Sequence, residues 1–294
     1  MPVSNSITIE KFIDSLNVET PSKNKFFELS HIFPVNPLRN INPNFERGIL
    51  LYSLIAKYKP KNVLEIGTAE GFSSLCMAWA MTEHNIDGTV FTIDPKPFDV
   101  PIERVNTWDE NKKNEKILLS TKDMWNKFAK KEWIEKIHVL TGYSGEILEK
   151  NKKTLPKMEM GFIDGHHVYK AVNHDFHAFL EIASENFNII FDDYIPNRKE
   201  DVTKMIDDEI LPNFDVTLIR TNAIVQRDQN FDTKDELEMC FIQSSSLKKQ
   251  LREIFPKYRS EQIINEYVNW EKRWKMRKKF NKKIPFLNKF RFNR

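Results

Sequence analysis

The chain has 294 residues, 40% hydrophobic and 30% charged, enough for one large α/β domain with a substantial core plus appendages. Its two cysteines, Cys76 and Cys240, sit in apolar contexts without metal or redox spacing. No stretch approaches membrane-spanning length and the opening MPVSNSITIEKF has no leader pattern, so a cytoplasmic protein is expected. Net charge is +3, but from Glu271 to Arg294 eleven Lys or Arg accompany one Glu, so this end carries +10 and the remainder −7.

Residues 1–44 read as a helical N-terminal cap, with Ile7, Ile9, Phe12, Ile13 and Leu16 as apolar points and a Pro and Asn-rich connection through Pro34, Pro37 and Pro43. Phe45 to Tyr58 carries Ile49, Leu50 and Ile55 at helical spacing and is expected to pack on a sheet just before its first strand. The main domain is expected over 45–245, and a helical, strongly basic extension over 246–294.

Asn62 to Ser74, NVLEIGTAEGFSS, is an apolar run enclosing an acid, followed by a glycine turn and a helical pattern. A parallel strand feeds a ligand-binding loop in this way. The glycines are Gly67 and Gly71, separated by Thr68, Ala69 and Glu70, which is neither G-x-G-x-x-G nor a P-loop. They serve either a ligand's close approach or a tight turn at positive φ. Thr89 to Pro97, TVFTIDPKP, ends a second strand in Asp94, about twenty residues on, where such folds place a carboxylate for ribose hydroxyls. A strand-end cap before Pro95 is the simpler alternative.

Strands follow at Val63–Ile66, Thr89–Ile93, Ile137–Thr141, Met160–Asp164 and Asn188–Asp192, alternating with helical patterns, which predicts a doubly wound, mostly parallel sheet. Val216–Val225 and Leu237–Ile242 lack an intervening helix. Between the second and third strands, Phe98–Leu119 is long enough for a lid over the strand ends or a surface insertion, and Thr121–Lys131 reads as a helix with Met124, Trp125 and Phe128 inward.

Two later strands end in acids: Asp164 in MGFIDGHHVY, and Asp192 with Asp193 in IIFDDY. Parallel strands bring these ends to one crevice, where three carboxylates repel unless protonated, salt-bridged or neutralised by a cation. Mg²⁺ is the economical cation.

The spacing E-x-G-x-x-x-G resembles motif I of the class I S-adenosylmethionine-dependent methyltransferases, and I-D-G-x-H-x-Y with F-D-D-Y resembles their metal-dependent macrolide-sugar and glycan O-methyltransferase branch. The resemblance spans about Phe45 to Tyr194. It implies a Rossmann-like fold closing on an antiparallel hairpin, Glu65 near the cofactor's amino-acid end, and backbone approach at Gly67, Thr68 and Gly71. It also implies adenine contacts from the G-x-S turn at Tyr143 and Ser144, Asp164, Asp192 and Asp193 as metal ligands, and Asp164 or His167 as general base. His166 departs from the usual small or acidic residue there.

His174 and His177, one turn apart, lack a fourth zinc ligand and read as packing or surface residues. Ile263, Tyr267, Trp270 and Trp274 form a helical stripe running into basic residues, suited to packing on the body, to an anionic membrane leaflet or, after these, to nucleic acid. The expectation is a Mg²⁺-assisted O-methyltransferase of a sugar, glycan or related small molecule, with a homodimer expected because homo-oligomers are common. The alternatives are a metal-independent N- or RNA methyltransferase and a non-catalytic membrane- or nucleic-acid-binding module.

Overall fold

The computed structural model describes residues 6–33, 45–106, 108–112, 115–226 and 234–283. The connection through Pro34, Pro37 and Pro43 and the final segment 284–294 lie outside them.

Strand β1 (Ile7–Thr8) leads into helices α1 (Ile9–Leu16), α2 (Lys23–Leu29) and α3 (Phe45–Tyr58). Then come β2 (Asn62–Ile66), α4 (Phe72–Glu83), β3 (Thr89–Asp94), β4 (Ile102–Val105), β5 (Lys116–Leu119), α5 (Thr121–Phe128) and α6 (Lys131–Ile134). The chain continues through β6 (Ile137–Thr141), α7 (Ser144–Asn151), β7 (Met158–Ile163), α8 (Tyr169–Ile182), β8 (Ala183–Tyr194) and α9 (Asp201–Met205). It closes with β9 (Thr217–Gln226), β10 (Lys234–Gln243), α10 (Leu251–Ile254) and α11 (Lys257–Lys283).

Eight strands form one sheet in the order β1-β9-β10-β8-β7-β2-β3-β6. The five strands from β8 to β6 are mutually parallel, whereas β10 runs antiparallel to both β8 and β9. This is the Rossmann-like sheet with a final antiparallel hairpin. The chain winds outward from β2 through β3 to β6 and then returns to β7 and β8, so the order reverses between β2 and β7, where such sheets open a crevice at their carboxyl ends.

Two apolar layers cover the sheet. One joins α1 to α6 through Phe26, Leu50, Trp79, Trp125 and Trp133, and the other joins α7 to α9 with Phe176, Phe191, Phe214 and Phe255. Helix α4 is apolar around most of its circumference because it is enclosed: ten of its residues are buried, and Trp79 stacks on Trp133 at 4.7 Å.

The structure departs from the sequence expectation at the N-terminal end. The N-terminal segment is not only helical, since Ile7 and Thr8 pair in parallel with Ile219 and Arg220 at the sheet edge. Its Ile9, Phe12 and Phe26 belong to the same core as α3 and α4. At the other end, α11 lies on the body, with Tyr267 stacked on His174 at 4.3 Å. Among the described residues, no helix is long and apolar enough to cross a membrane.

Candidate active site

Strand β2 delivers Glu65 pointing inward, fully buried, where it accepts hydrogen bonds from the hydroxyls of Ser73, Ser74 and Thr92. Because the Thr92 proton is committed to Glu65, Thr68 donates to Thr92 across 2.5 Å. Burial pushes the Glu65 carboxyl up to about 7 against the opposing pull of its three donors. The carboxylate assigned by resemblance to the cofactor's amino-acid end thus braces the strand, the turn and the first residues of α4 from beneath.

The turn itself is tightly held. Gly67 has φ +103°, and a Cβ there would lie 2.0 Å from the Asp164 carbonyl oxygen; Gly71 has φ +81°, and its Cβ would lie 2.1 Å from the Trp125 ring. Both glycines are therefore required by neighbouring protein as well as by backbone conformation. Asp94, at the end of β3, accepts from the amides of Ala69 at 2.8 Å and Lys96 at 2.7 Å, one on each oxygen. Each oxygen keeps a further lone pair.

At the ends of β7 and β8 the acids meet partners that the sequence did not reveal. Arg47, in the first turn of α3, donates to Asp164 at 2.8 Å and pairs with Asp192. His167 lies between Asp193, 2.9 Å from Nδ1, and Asp164, 3.4 Å from Nε2. Hydrogen bonds to Asp164 and Asp193 lift the His167 imidazole to about 10, so in this arrangement it is a cation at neutral pH. Burial raises the Asp193 carboxyl, but His167, Arg47 and Arg198 outweigh it and hold the group below its ordinary value. For Asp192 burial dominates and raises the carboxyl, with Arg47 opposing. Burial also disfavours the Arg47 charge, yet Asp192, Asp164 and Asp193 hold it more firmly protonated than usual. Asp193 adopts φ +60°, a left-handed conformation that non-glycine residues hold mainly where surroundings enforce it.

Asp164, His167 and Asp193 each offer a ligand atom, all within 4.8 Å of one another. Two carboxylates and an imidazole fit a divalent cation taking mixed oxygen and nitrogen ligands, provided the cation displaces the His167 proton. Of the three acids that resemblance implied as ligands, Asp164 and Asp193 belong to this trio, while Asp192 is paired with Arg47.

The loop after β6 is shared with α11. Tyr143 meets Trp274 edge-on at 5.4 Å, with the Lys275 ammonium 4.5 Å from its ring centre. Glu271, buried, accepts from the amides of Gly145 at 3.2 Å and Glu146 at 3.1 Å. His166 is exposed, its ring 6.5 Å from that of Trp270. His174 and His177 are buried packing residues with separate partners, Asp175 and Ser260.

Residues 64–194 match the family profile described as a methyltransferase domain. The likeness to this profile extends over 131 of the 294 residues. The chain trace is similar to that of the O-methyltransferase TomG from Streptomyces achromogenes, involved in tomaymycin synthesis and solved with S-adenosylmethionine. Identity is 16%, coverage 80% of this chain and 95% of that one, and TM-score 0.48. An O-methyltransferase from Bacillus cereus, solved with S-adenosylhomocysteine, gives 16% identity, coverage of 80% and 100%, and TM-score 0.46. No curated protein matches the sequence significantly. Of the residues that build the domain's site, Arg47 and Glu271 fall outside 64–194, and no local motif announces either.

Proposed function

We propose that the protein is an S-adenosylmethionine-dependent O-methyltransferase acting on a hydroxyl of a sugar, glycan or related small molecule, assisted by a divalent cation such as Mg²⁺. The observation that carries this reading is one sheet edge. At the switch between β2 and β7 it combines a glycine turn, a carboxylate at the next strand end and an acid–histidine trio.

The backbone at Gly67, Thr68 and Gly71 would face the cofactor. Asp94 has one free lone pair on each oxygen for two vicinal ribose hydroxyls, and Tyr143 with Ser144 would border the adenine. When bound, the cofactor supplies an electrophilic methyl for in-line transfer. Asp164, His167 and Asp193 would hold the divalent ion, whose role is to ease deprotonation of the acceptor hydroxyl. Asp164 would receive the hydroxyl proton, since His167 is already protonated in this arrangement, and Arg47 keeps Asp164 and Asp192 in place. The sugar acceptor is carried by the resemblance of I-D-G-x-H-x-Y and F-D-D-Y alone.

Calorimetric titration of S-adenosylhomocysteine in paired Mg²⁺ and EDTA samples tests the cofactor, followed by methyl transfer to hydroxylated glycans. Saturable binding with EDTA-sensitive turnover supports the full reading, and no binding in either buffer sinks it. A second reading, a metal-independent methyltransferase, draws on Arg47, which already compensates two of the three carboxylates. Turnover undiminished by EDTA would favour it.

We further propose that the basic end of α11 rests on an anionic membrane leaflet. Lys272, Arg273, Arg277 and Lys278 are exposed there, while Tyr267 is buried and Trp270 and Trp274 are partly buried.

A further inference from the structure

The segment between β3 and β6 is long enough for a lid, yet its buried contacts run downward into the glycine turn. Arg104, on β4, is fully buried, with 1% of its surface exposed. A buried guanidinium needs its donors used and its charge met. Its Nε donates to the Leu119 carbonyl at 2.9 Å and Nη1 to the Ile32 carbonyl at 3.2 Å. Nη2 donates to Glu70 Oε2 at 2.7 Å and to the Thr121 hydroxyl at 3.3 Å. One side chain thus ties the hairpin, the N-terminal segment and α5 to residue 70.

Glu70 lies inside the turn, between Ala69 at φ +46° and Gly71 at φ +81°. An alanine in the left-handed region persists only where its surroundings hold it. Those surroundings come largely from residues 94–125. Asp94 takes the Ala69 amide, Lys96 pairs with the second Glu70 oxygen, and Trp125 donates from Nε1 to the Glu70 carbonyl at 2.8 Å. The Trp125 ring also fills the space that a side chain at Gly71 would need.

We propose that β4, β5 and α5 form a clamp that presets the glycine turn for the cofactor, with Arg104 as a positioning residue acting through Glu70. The inference rests on the reading that this turn binds S-adenosylmethionine. Arg104 is enclosed and reaches the turn only through Glu70. Its effect is to keep the turn in the one conformation in which its backbone faces the cofactor. If releasing the clamp leaves the turn competent a tenth of the time, the apparent Kd rises about tenfold.

The test uses the full chain with Arg104→Lys, Glu70→Gln and the double variant, titrated with S-adenosylhomocysteine and assayed for turnover at saturating S-adenosylmethionine. Lysine keeps the charge but cannot span Leu119, Ile32 and Glu70 together, and glutamine keeps the size of Glu70 without its charge. Each single variant is expected to weaken binding about tenfold while kcat stays within about twofold. The double variant should be no weaker than the worse single, because both changes break one connection. Amide exchange at Ala69 and Gly71 should quicken in each variant, and whichever single variant keeps the wild-type circular dichroism carries the test if the other does not fold. A lowered melting temperature with unchanged S-adenosylhomocysteine affinity would reduce Arg104 to a core ion pair, and independent, multiplying losses would break the route through Glu70. A wild-type chain that binds no S-adenosylhomocysteine overturns the cofactor reading itself, a result distinct from wild-type binding that the variants leave untouched.

Discussion

Asp192 is almost enclosed, with 3% of its surface exposed, and its charge is sustained there by Arg47. Arg47→Met would leave one buried carboxylate unpaired and a second, Asp164, with His167 alone. Removing one partner of a buried pair costs about 3–5 kcal/mol, so urea unfolding at neutral pH should show a loss of that order. A loss below about 1 kcal/mol would mean that Asp192 takes up a proton or reaches water instead. Asp193→Asn is the gentler probe of chemistry. Asparagine tolerates the left-handed backbone at φ +60° but removes the charge facing His167, so the fold should persist while turnover falls on the order of a hundredfold. Circular dichroism and a methyl-transfer assay on the same preparation check both halves. At this scale the acids were legible, because each stands at the end of an apolar run. Arg47 was not, because its partner Asp164 lies 117 residues away and only the tertiary fold joins them.

The contact between α8 and α11 sets a pH dependence. His177 is fully buried, and burial, with Arg259, His174 and Arg252 adding to it, depresses its imidazole from an ordinary 6.5 to about 3. The unfolded chain takes up a proton at pH 5 that the folded chain refuses. Stability supplied by the neutral imidazole is therefore complete above pH 6.5 and declines as pH falls towards 3, by up to about 1.4 kcal/mol per pH unit. His177→Asn, which can still bond Ser260, should flatten that slope in denaturant titrations between pH 7 and 4.5; an unchanged slope would assign it to other groups. Helix α7 has no side-chain cap of its own at Tyr143, and Glu271 supplies one from α11. Glu271→Ala should accordingly cost about 1 kcal/mol in thermal or urea unfolding. The helices and parallel strands were readable from their periodicity, whereas β1 was not. Two residues carry no period, and their extended form comes from pairing with β9.

Across the whole molecule, charge is divided between a −7 body and a +10 end, and α11 is the element that joins them. Because Glu271 and Trp274 are engaged with the loop after β6, ending the chain at 271 would disturb the site as well as remove cations. Replacing Lys272, Arg273, Arg277 and Lys278 together by Gln is the cleaner probe of the membrane proposal. This variant should sediment less with anionic vesicles than the wild-type chain while retaining its melting temperature, and equal sedimentation would count against the proposal.

The sequence by itself determined the alternation of strands and helices, the glycine turn and the acids at strand ends, because these depend on local periodicity and on the rule that parallel strands share a carboxyl edge. Only the tertiary structure decided which cations meet which acids, that Glu65 braces the turn from below, and that the long insertion is stitched to that turn by Arg104. A pairing between residues distant in the chain is set by how whole elements pack around the sheet, and no local pattern records it.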